Sequence, residues 1–154
     1  MLIREAALDE LPRIAKLKDQ IHEAHVKGRP DLFVSNHDLQ AFFQNTADKN
    51  CRLLLAEVDG EVVGYALLQY VSRPANPYMN ARKFVHVHEF CVDENHQRMG
   101  IGKRLMEELK TLARRNGYPR IELDVWSFNE GAMQFYEAAG MHAFRTYMEM
   151  DTAE

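Results

Sequence analysis

The residue types and spacing best suited to chemistry lie in Val92-Asp93-Glu94-Asn95-His96-Gln97-Arg98-Met99-Gly100-Ile101-Gly102-Lys103. An apolar run ends at Val92, a polar turn follows, and a loop with two glycines opens onto an amphipathic run that starts at Ile101. The first turn of a helix has amide N–H groups without intrahelical partners and carries the positive end of the helix dipole. Gly100 and Gly102 remove side chains where a ligand would approach the backbone, and Arg98 and Lys103 add positive charge. These features together suit a phosphate or pyrophosphate. Two phosphate loops are excluded by position. A Walker A loop needs glycine where Gln97 stands and Ser or Thr where Arg104 stands. A dinucleotide-binding loop needs a third glycine where Leu105 stands. A glycine-softened loop that binds nothing is the plain alternative at this point.

A second group of reactive types lies just upstream. His86 and His88 are two apart and so share a face of any strand containing them. A His-x-His pair invites a zinc reading, but no third ligand is marked by local spacing. Cys51 and Cys91 both sit in apolar runs, where a small buried hydrophobe is the plain reading, and two cysteines make no disulfide framework.

Periodicity supplies the elements that must position these groups. Leu2-Ile3-Arg4 reads as a short strand. Asp9 can cap a helix with Pro12 in its first turn and a stripe of Leu11, Ile14, Leu17, Lys18 and Ile21. Lys27-Gly28-Arg29-Pro30 ends it. Ser35 or Asn36 can cap a second helix carrying Leu39, Phe42 and Phe43. Arg52–Val58 and 61–71 are strands joined by the hairpin signal Asp59-Gly60. Residues 72–80 form a Pro/Asn-rich loop, and Lys83–Val92 alternates as a strand. Residues 101–116 give the clearest helix, with Ile101, Leu105, Leu109 and Leu112 in a stripe. Arg114 and Arg115 suit its C-terminal end, and Gly117 suits the position just past it. A strand at 121–125, a helix capped by Asn129 and ended by Gly140, and a closing strand at 143–150 complete the chain. The strand–helix–strand from Lys83 to Val125 allows a parallel crossover beside the antiparallel hairpin.

Composition bounds the class. The 154 residues fit one domain, and 46% apolar with 27% charged residues excludes general disorder. With 19 basic against 23 acidic side chains the net charge is −4, which disfavours nucleic acid as the main partner. The start, Met1-Leu2-Ile3-Arg4-Glu5, lacks the regions of a signal peptide, and the longest apolar stretch, 62–68, is about a third of a membrane span. A soluble cytoplasmic domain without membrane association is the expectation.

Gln97-Arg98-Met99-Gly100-Ile101-Gly102 matches Gln/Arg-x-x-Gly-x-Gly/Ala. Downstream, Val125-Trp126-Ser127-Phe128-Asn129, then Ala132, then Phe135-Tyr136-Glu137-Ala138-Ala139-Gly140 give a strand, an Asn and a Phe-Tyr-Glu-x-x-Gly block. In these two motifs, their spacing and the order of elements over essentially the whole chain, the sequence resembles the GNAT superfamily of acyl-CoA-dependent N-acetyltransferases. Met141 departs mildly from the family's usual residue after the last helix but keeps an apolar side chain.

The resemblance implies one domain over 1–154 of mixed α/β (α+β) class. Its mostly antiparallel central sheet would have about six or seven strands and about four flanking helices, with central strands splaying into an acyl-CoA slot. It implies that Gln97, Arg98, Met99, Gly100, Ile101, Gly102 and Lys103 wrap the coenzyme A pyrophosphate, largely through backbone amides. Phe90, Cys91 and Val92 would pair with the pantetheine arm, an amide near Cys91 or Val92 would polarise the thioester carbonyl, and Asn129 would touch the arm. Tyr136 matches the position from which a phenol protonates the departing thiolate. The co-substrate would be acetyl-CoA, no metal is implied, and a homodimer is a common arrangement in such families. The acceptor would be a primary amine, on a small molecule or on a peptide or protein. It must lose a proton at neutral pH, so a base or a water relay is needed. Glu89, just before the strand segment at the carbonyl, is the first candidate, and His86 and His88 follow. A solvated or paired carboxylate is the plain reading of Glu89, as a core tyrosine is of Tyr136. Direct transfer is favoured over an acyl-enzyme through Cys91. A non-catalytic acyl-CoA-binding or sensor module is the rival. Arg29-Pro30-Asp31-Leu32-Phe33 is expected to line the acceptor side, where His22 and His25 could reach; Trp126 is expected in the core or the cleft wall.

Overall fold

A computed structural model describes residues 1–153, Asp48 by its backbone alone; Glu154, the last residue of the expected domain, lies outside the described residues. The chain divides into two compact units, Met1–Asp124 and Val125–Glu154.

The first unit holds the sheet. Its strands are β1 (Leu2–Ala6), β2 (Arg52–Val58), β3 (Glu61–Arg73), β4 (Arg82–Val92) and β5 (Ile121–Leu123). They lie in sequence order, the first three pairings antiparallel and β4–β5 parallel. The helices are α1 (Ala15–Gly28), α2 (Leu39–Asp48) and α3 (Ile101–Arg115), the last making the crossover from β4 to β5. In the β2–β3 hairpin Asp59 and Gly60 both have positive φ, 51° and 80°, as a two-residue turn matched to strand twist requires.

Each face of the sheet buries a different layer. On one, Leu11, Ile14 and Leu17 pack with Leu53, Leu55, Tyr65, Leu67 and Cys91. On the other lies α3, whose Ile101, Leu105 and Leu109 are all buried. Fully burying a leucine contributes about 1.5–3 kcal/mol. Gly64 belongs to this second face: a Cβ there would meet Cys91 O at 3.1 Å and Ile101 Cγ2 at 3.3 Å. The residue is glycine because helix and sheet backbone approach this closely.

The second unit contains α4 (Glu130–Ala138). Asn129 caps it as expected, its side chain accepting from the Ala132 amide at 3.1 Å. Past the ends of α3 and α4, Gly117 and Gly140 take the left-handed conformation, with φ of 80° and 98°.

Four expectations are corrected. Among the described residues the sheet has five strands, fewer than six or seven, because 143–150 carries no strand; alternation gives a segment the propensity, but a strand exists only when paired. The strand expected over 121–125 stops at Leu123. The helix expected from Asp9 opens instead as a 3-10 segment, Leu8–Ile14, with no side-chain cap; Pro12 lacks a donor and crowds the preceding turn. Asp38 caps α2, its carboxylate accepting from Gln40 and Ala41. Ser35 and Asn36, the expected caps, are engaged elsewhere: Ser35 donates to Glu23 at 2.6 Å, and the Asn36 side chain accepts from the Asp38 amide.

Candidate active site

From Val85 to Val87 β4 has a strand on both sides, and from His88 onward, among the described residues, it pairs only with β3. The parallel pairing with β5 runs from Val85↔Ile121 to Val87↔Leu123 and stops there. Glu89, Phe90, Cys91 and Val92 remain paired with Leu67, Ala66, Tyr65 and Gly64 of β3. A strand edge that its neighbour leaves presents backbone donors and acceptors to whatever approaches.

A bulge lies at the same point. Leu67 pairs with Glu89 and Leu68 with Val87, so His88 is an extra residue on β4. Strict alternation would turn Glu89 away from the face that carries His86 and His88. The bulge cancels that turn. The His86 and His88 rings meet edge-on at 4.5 Å, and His88 Nε2 lies 2.8 Å from Gln69 Oε1. Tyr65 Oη donates to Glu89 Oε1 at 2.6 Å. Tyr65, Leu67 and Gln69 alternate along one face of β3, the face on the α1 side, so His86, His88 and Glu89 of β4 stand there.

Burial and neighbours set the charge states. Burial pushes the Glu89 carboxyl above the usual range, opposed by the Tyr65 bond and by the positive fields of Lys18, His22 and Lys49. Lys18 is itself buried, its ammonium 4.8 Å from the Phe42 ring centre. Burial first, then His86 and Lys49, push His88 down to about 4, so it is a neutral imidazole at pH 7. Because the Gln69 oxygen only accepts, His88 donates from Nε2. Burial, aided by Glu89, Asp93 and Glu94, pushes the Cys91 thiol up to about 12, and its Sγ lies 3.6 Å from the Leu17 carbonyl. A thiol held protonated is a poor nucleophile.

The glycine loop follows directly. Asp93 is buried and caps the 3-10 turn Glu94–His96. Its carboxylate accepts from the Asn95 amide at 3.2 Å and from Gln20 of α1 at 3.3 Å, and it faces His96 Nδ1 at 3.2 Å. Burial pushes this carboxyl up, but those partners outweigh it and hold it below the usual range. Gln20 also accepts from the Glu94 amide, which ties the loop to α1. Arg98 and Gly100 are left-handed, with φ of 67° and 76°; for arginine that conformation is costly, and such strain concentrates at functional sites. Gln97, Arg98, Met99, Gly100 and Lys103 are exposed and Gly102 half-buried. Ile101 is buried against Gly64, so only its backbone could serve a ligand.

Of the expected site residues, the first unit brings together Glu89, Phe90, Cys91 and Val92 on one strand segment that runs into the loop 97–103. Asn129 and Tyr136 belong to the second unit. There Tyr136 is half-buried on α4, its ring 5.4 Å from that of Phe135, and Trp126 is exposed and stacked with Phe128 at 6.1 Å. His22 lies 2.7 Å from the Val34 carbonyl, and His25 lies against Phe33, which places both beside the segment expected to line the acceptor side. Tyr65, Gln69 and Gln20 were not anticipated. The one available signal was a tyrosine inside the apolar run 62–68, since a buried hydroxyl needs a partner.

The model of the acetyltransferase (GNAT) family matches residues 15–141. The chain belongs to the GNAT acetyltransferase family. It is similar to a mutant of the BH1408 protein of Bacillus halodurans, with 32% identity over 99% of this chain and 100% of that one and a TM-score of 0.90. More distant GNAT-type folds include an aminoglycoside acetyltransferase from an uncultured soil metagenomic sample in complex with sisomicin. It has 17% identity, covers 99% and 95% of the two chains and gives a TM-score of 0.70. The ribosomal-protein-alanine N-acetyltransferase of Brucella melitensis has 18% identity over 99% of each chain and a TM-score of 0.72. At these identities the likeness is one of fold. No curated protein sequence matches the chain. Among the described residues, no helix is long and apolar enough to cross a membrane.

Proposed function

We propose that this GNAT protein transfers an acetyl group from acetyl-CoA directly to a primary amine. The observation that carries this reading is the strand segment 88–92, which β5 leaves and which carries at Glu89 a carboxyl whose pKa burial raises. The family match crosses the boundary between the two units, which supports a single acetyltransferase domain over the whole chain.

The residues fit the co-substrate. Gly100 has open space where a Cβ would stand, the first-turn amides of α3 follow it, and Arg98 and Lys103 flank it; these would hold the pyrophosphate. The edge formed by Phe90, Cys91 and Val92 would pair with the pantetheine arm, and an amide near Cys91 or Val92 would donate to the carbonyl oxygen as charge develops there. Asn129 would touch the arm. When bound, acetyl-CoA supplies an activated acyl group.

The acceptor arrives as an ammonium and must lose a proton before its nitrogen can form the C–N bond. Glu89 takes that proton: its raised pKa makes it a better base than an ordinary carboxylate. His88, held down to about 4, is a weaker one. Tyr136 donates a proton to the leaving thiolate as the C–S bond breaks, since a phenol is protonated at pH 7.

Calorimetric titration with acetyl-CoA, with ATP as control, tests the binding half. Micromolar affinity for acetyl-CoA and none for ATP is expected. A folded protein that ignores acetyl-CoA would remove the cofactor assignment and every role resting on it. An amine panel read by thiol release tests the transfer half.

A further inference from the structure

We infer that Tyr65 is a positioning residue for the reaction: by holding Oε1 of Glu89 in the core, it makes Oε2 the atom that takes the acceptor's proton. The inference rests on the reading of Glu89 as the base.

Tyr65 is fully buried in the α1-side core, between leucines of β2 and β3 and the helix above them. Its hydroxyl lies 2.6 Å from Glu89 Oε1. Burial first, and the Glu89 charge next, push this phenol well above its usual range, so it stays protonated, and an ionised carboxylate can only accept. The bond therefore has one polarity, O–H to Oε1, and hydrogen bonds to charged groups are the stronger kind.

The two oxygens of Glu89 differ in kind. Oε1 has Tyr65. Oε2 has no hydrogen-bond or ion-pair partner among the described residues. No side-chain oxygen or nitrogen that is fully shut from solvent lacks a partner there, so Oε2 reaches accessible space. One carboxylate thus has an anchored oxygen and an open one, at the bulge where β4 parts from β5. The anchor also fixes the rotamer of a glutamate side chain that would otherwise swing freely, which matters because proton transfer needs hydrogen-bond reach and alignment. The other groups acting on the pair are Lys18, Asp19 and His22 from α1, Lys49 after α2, Cys51 just before β2 and Cys91 on β4. None of them hydrogen-bonds Glu89.

The direction of the effect follows. The Tyr65 bond favours the carboxylate and pulls the Glu89 pKa down against burial. Removing it leaves burial less opposed, so the pKa rises. In Tyr65→Phe the acid limb of kcat/KM against pH should move up by about one pH unit. On the plateau above that limb, where Glu89 is ionised in both proteins, loss of the anchor should lower kcat roughly tenfold through lost alignment, with KM for acetyl-CoA unchanged. Glu89→Gln should abolish that limb, and adding Tyr65→Phe to Glu89→Gln should cost nothing further. Carbon-13 carboxyl NMR titration of the free protein reads the same shift without turnover: the Glu89 resonance should titrate higher in Tyr65→Phe, with the fold checked by circular dichroism. If Glu89→Gln removes the limb while Tyr65→Phe leaves both limb and resonance in place, the inference is overturned and Glu89 remains the base. If Glu89→Gln leaves the profile intact, the base assignment itself fails and takes the inference with it.

Discussion

The two faces of β4 are built from one stretch of chain and do opposite work. Val85 and Val87 pair with Tyr70 and Leu68 on the α3 side, where both valines are buried. On the α1 side the same strand carries His86, His88 and Glu89, each half-buried and none of them aliphatic. A dry face supplies stability through area removed from water. A polar face in a partly buried setting supplies perturbed charge states, which is what acid–base chemistry at neutral pH requires. The comparison shows that the bulge, more than the residue types, assigns Glu89 to the second role, because without it Glu89 would turn toward α3 and the aliphatic layer.

The comparison breaks most visibly if Glu89→Gln leaves amine acetylation intact. The expected outcome is a loss of about 10²–10³-fold in kcat/KM for the amine, measured by thiol release, with calorimetric acetyl-CoA affinity unchanged. The opposite signature belongs to the dry face. Leu109→Ala, at a position with no exposure, should cost about 3 kcal/mol in urea unfolding while the folded fraction keeps its kcat/KM. Gly100→Ala tests the loop between the two faces. Its φ is 76° with nothing within 4 Å of a new Cβ, so the cost is backbone strain of about 1–2 kcal/mol, and acetyl-CoA affinity should weaken by roughly that amount on titration.

The smallest effect concerns pH. His88 falls from its ordinary 6.5 to about 4 in the folded protein, so between those values the unfolded chain binds more protons than the folded one. Stability should therefore rise as pH climbs from about 4 to 6.5 and lose this contribution as pH falls back through that window. Thermal unfolding against pH should show a flatter slope there for His88→Gln than for the parent. Equal slopes would mean that His88 is not desolvated as its surroundings indicate.

What the sequence determined by itself is local. The stripe Ile101, Leu105, Leu109 and Leu112 recurs at helical spacing and is buried as expected. Asp59-Gly60 supplies the two positive φ values its hairpin needs, and Asn129 caps the helix that starts beside it. The glycine loop and both family motifs were legible for the same reason: each is a few residues whose physics is complete within one turn. The tertiary structure decided whatever depends on a distant partner. Asp38 caps α2 because Ser35, upstream of it, is drawn to Glu23 of α1. Gln20 holds the loop through Asp93, 73 positions away. Residues 143–150 alternate like a strand, yet alternation says nothing of pairing. The face of Glu89 could not be read from periodicity either, since one extra residue in a strand reverses which side every later side chain takes. That residue becomes extra only once β3 is paired beside it.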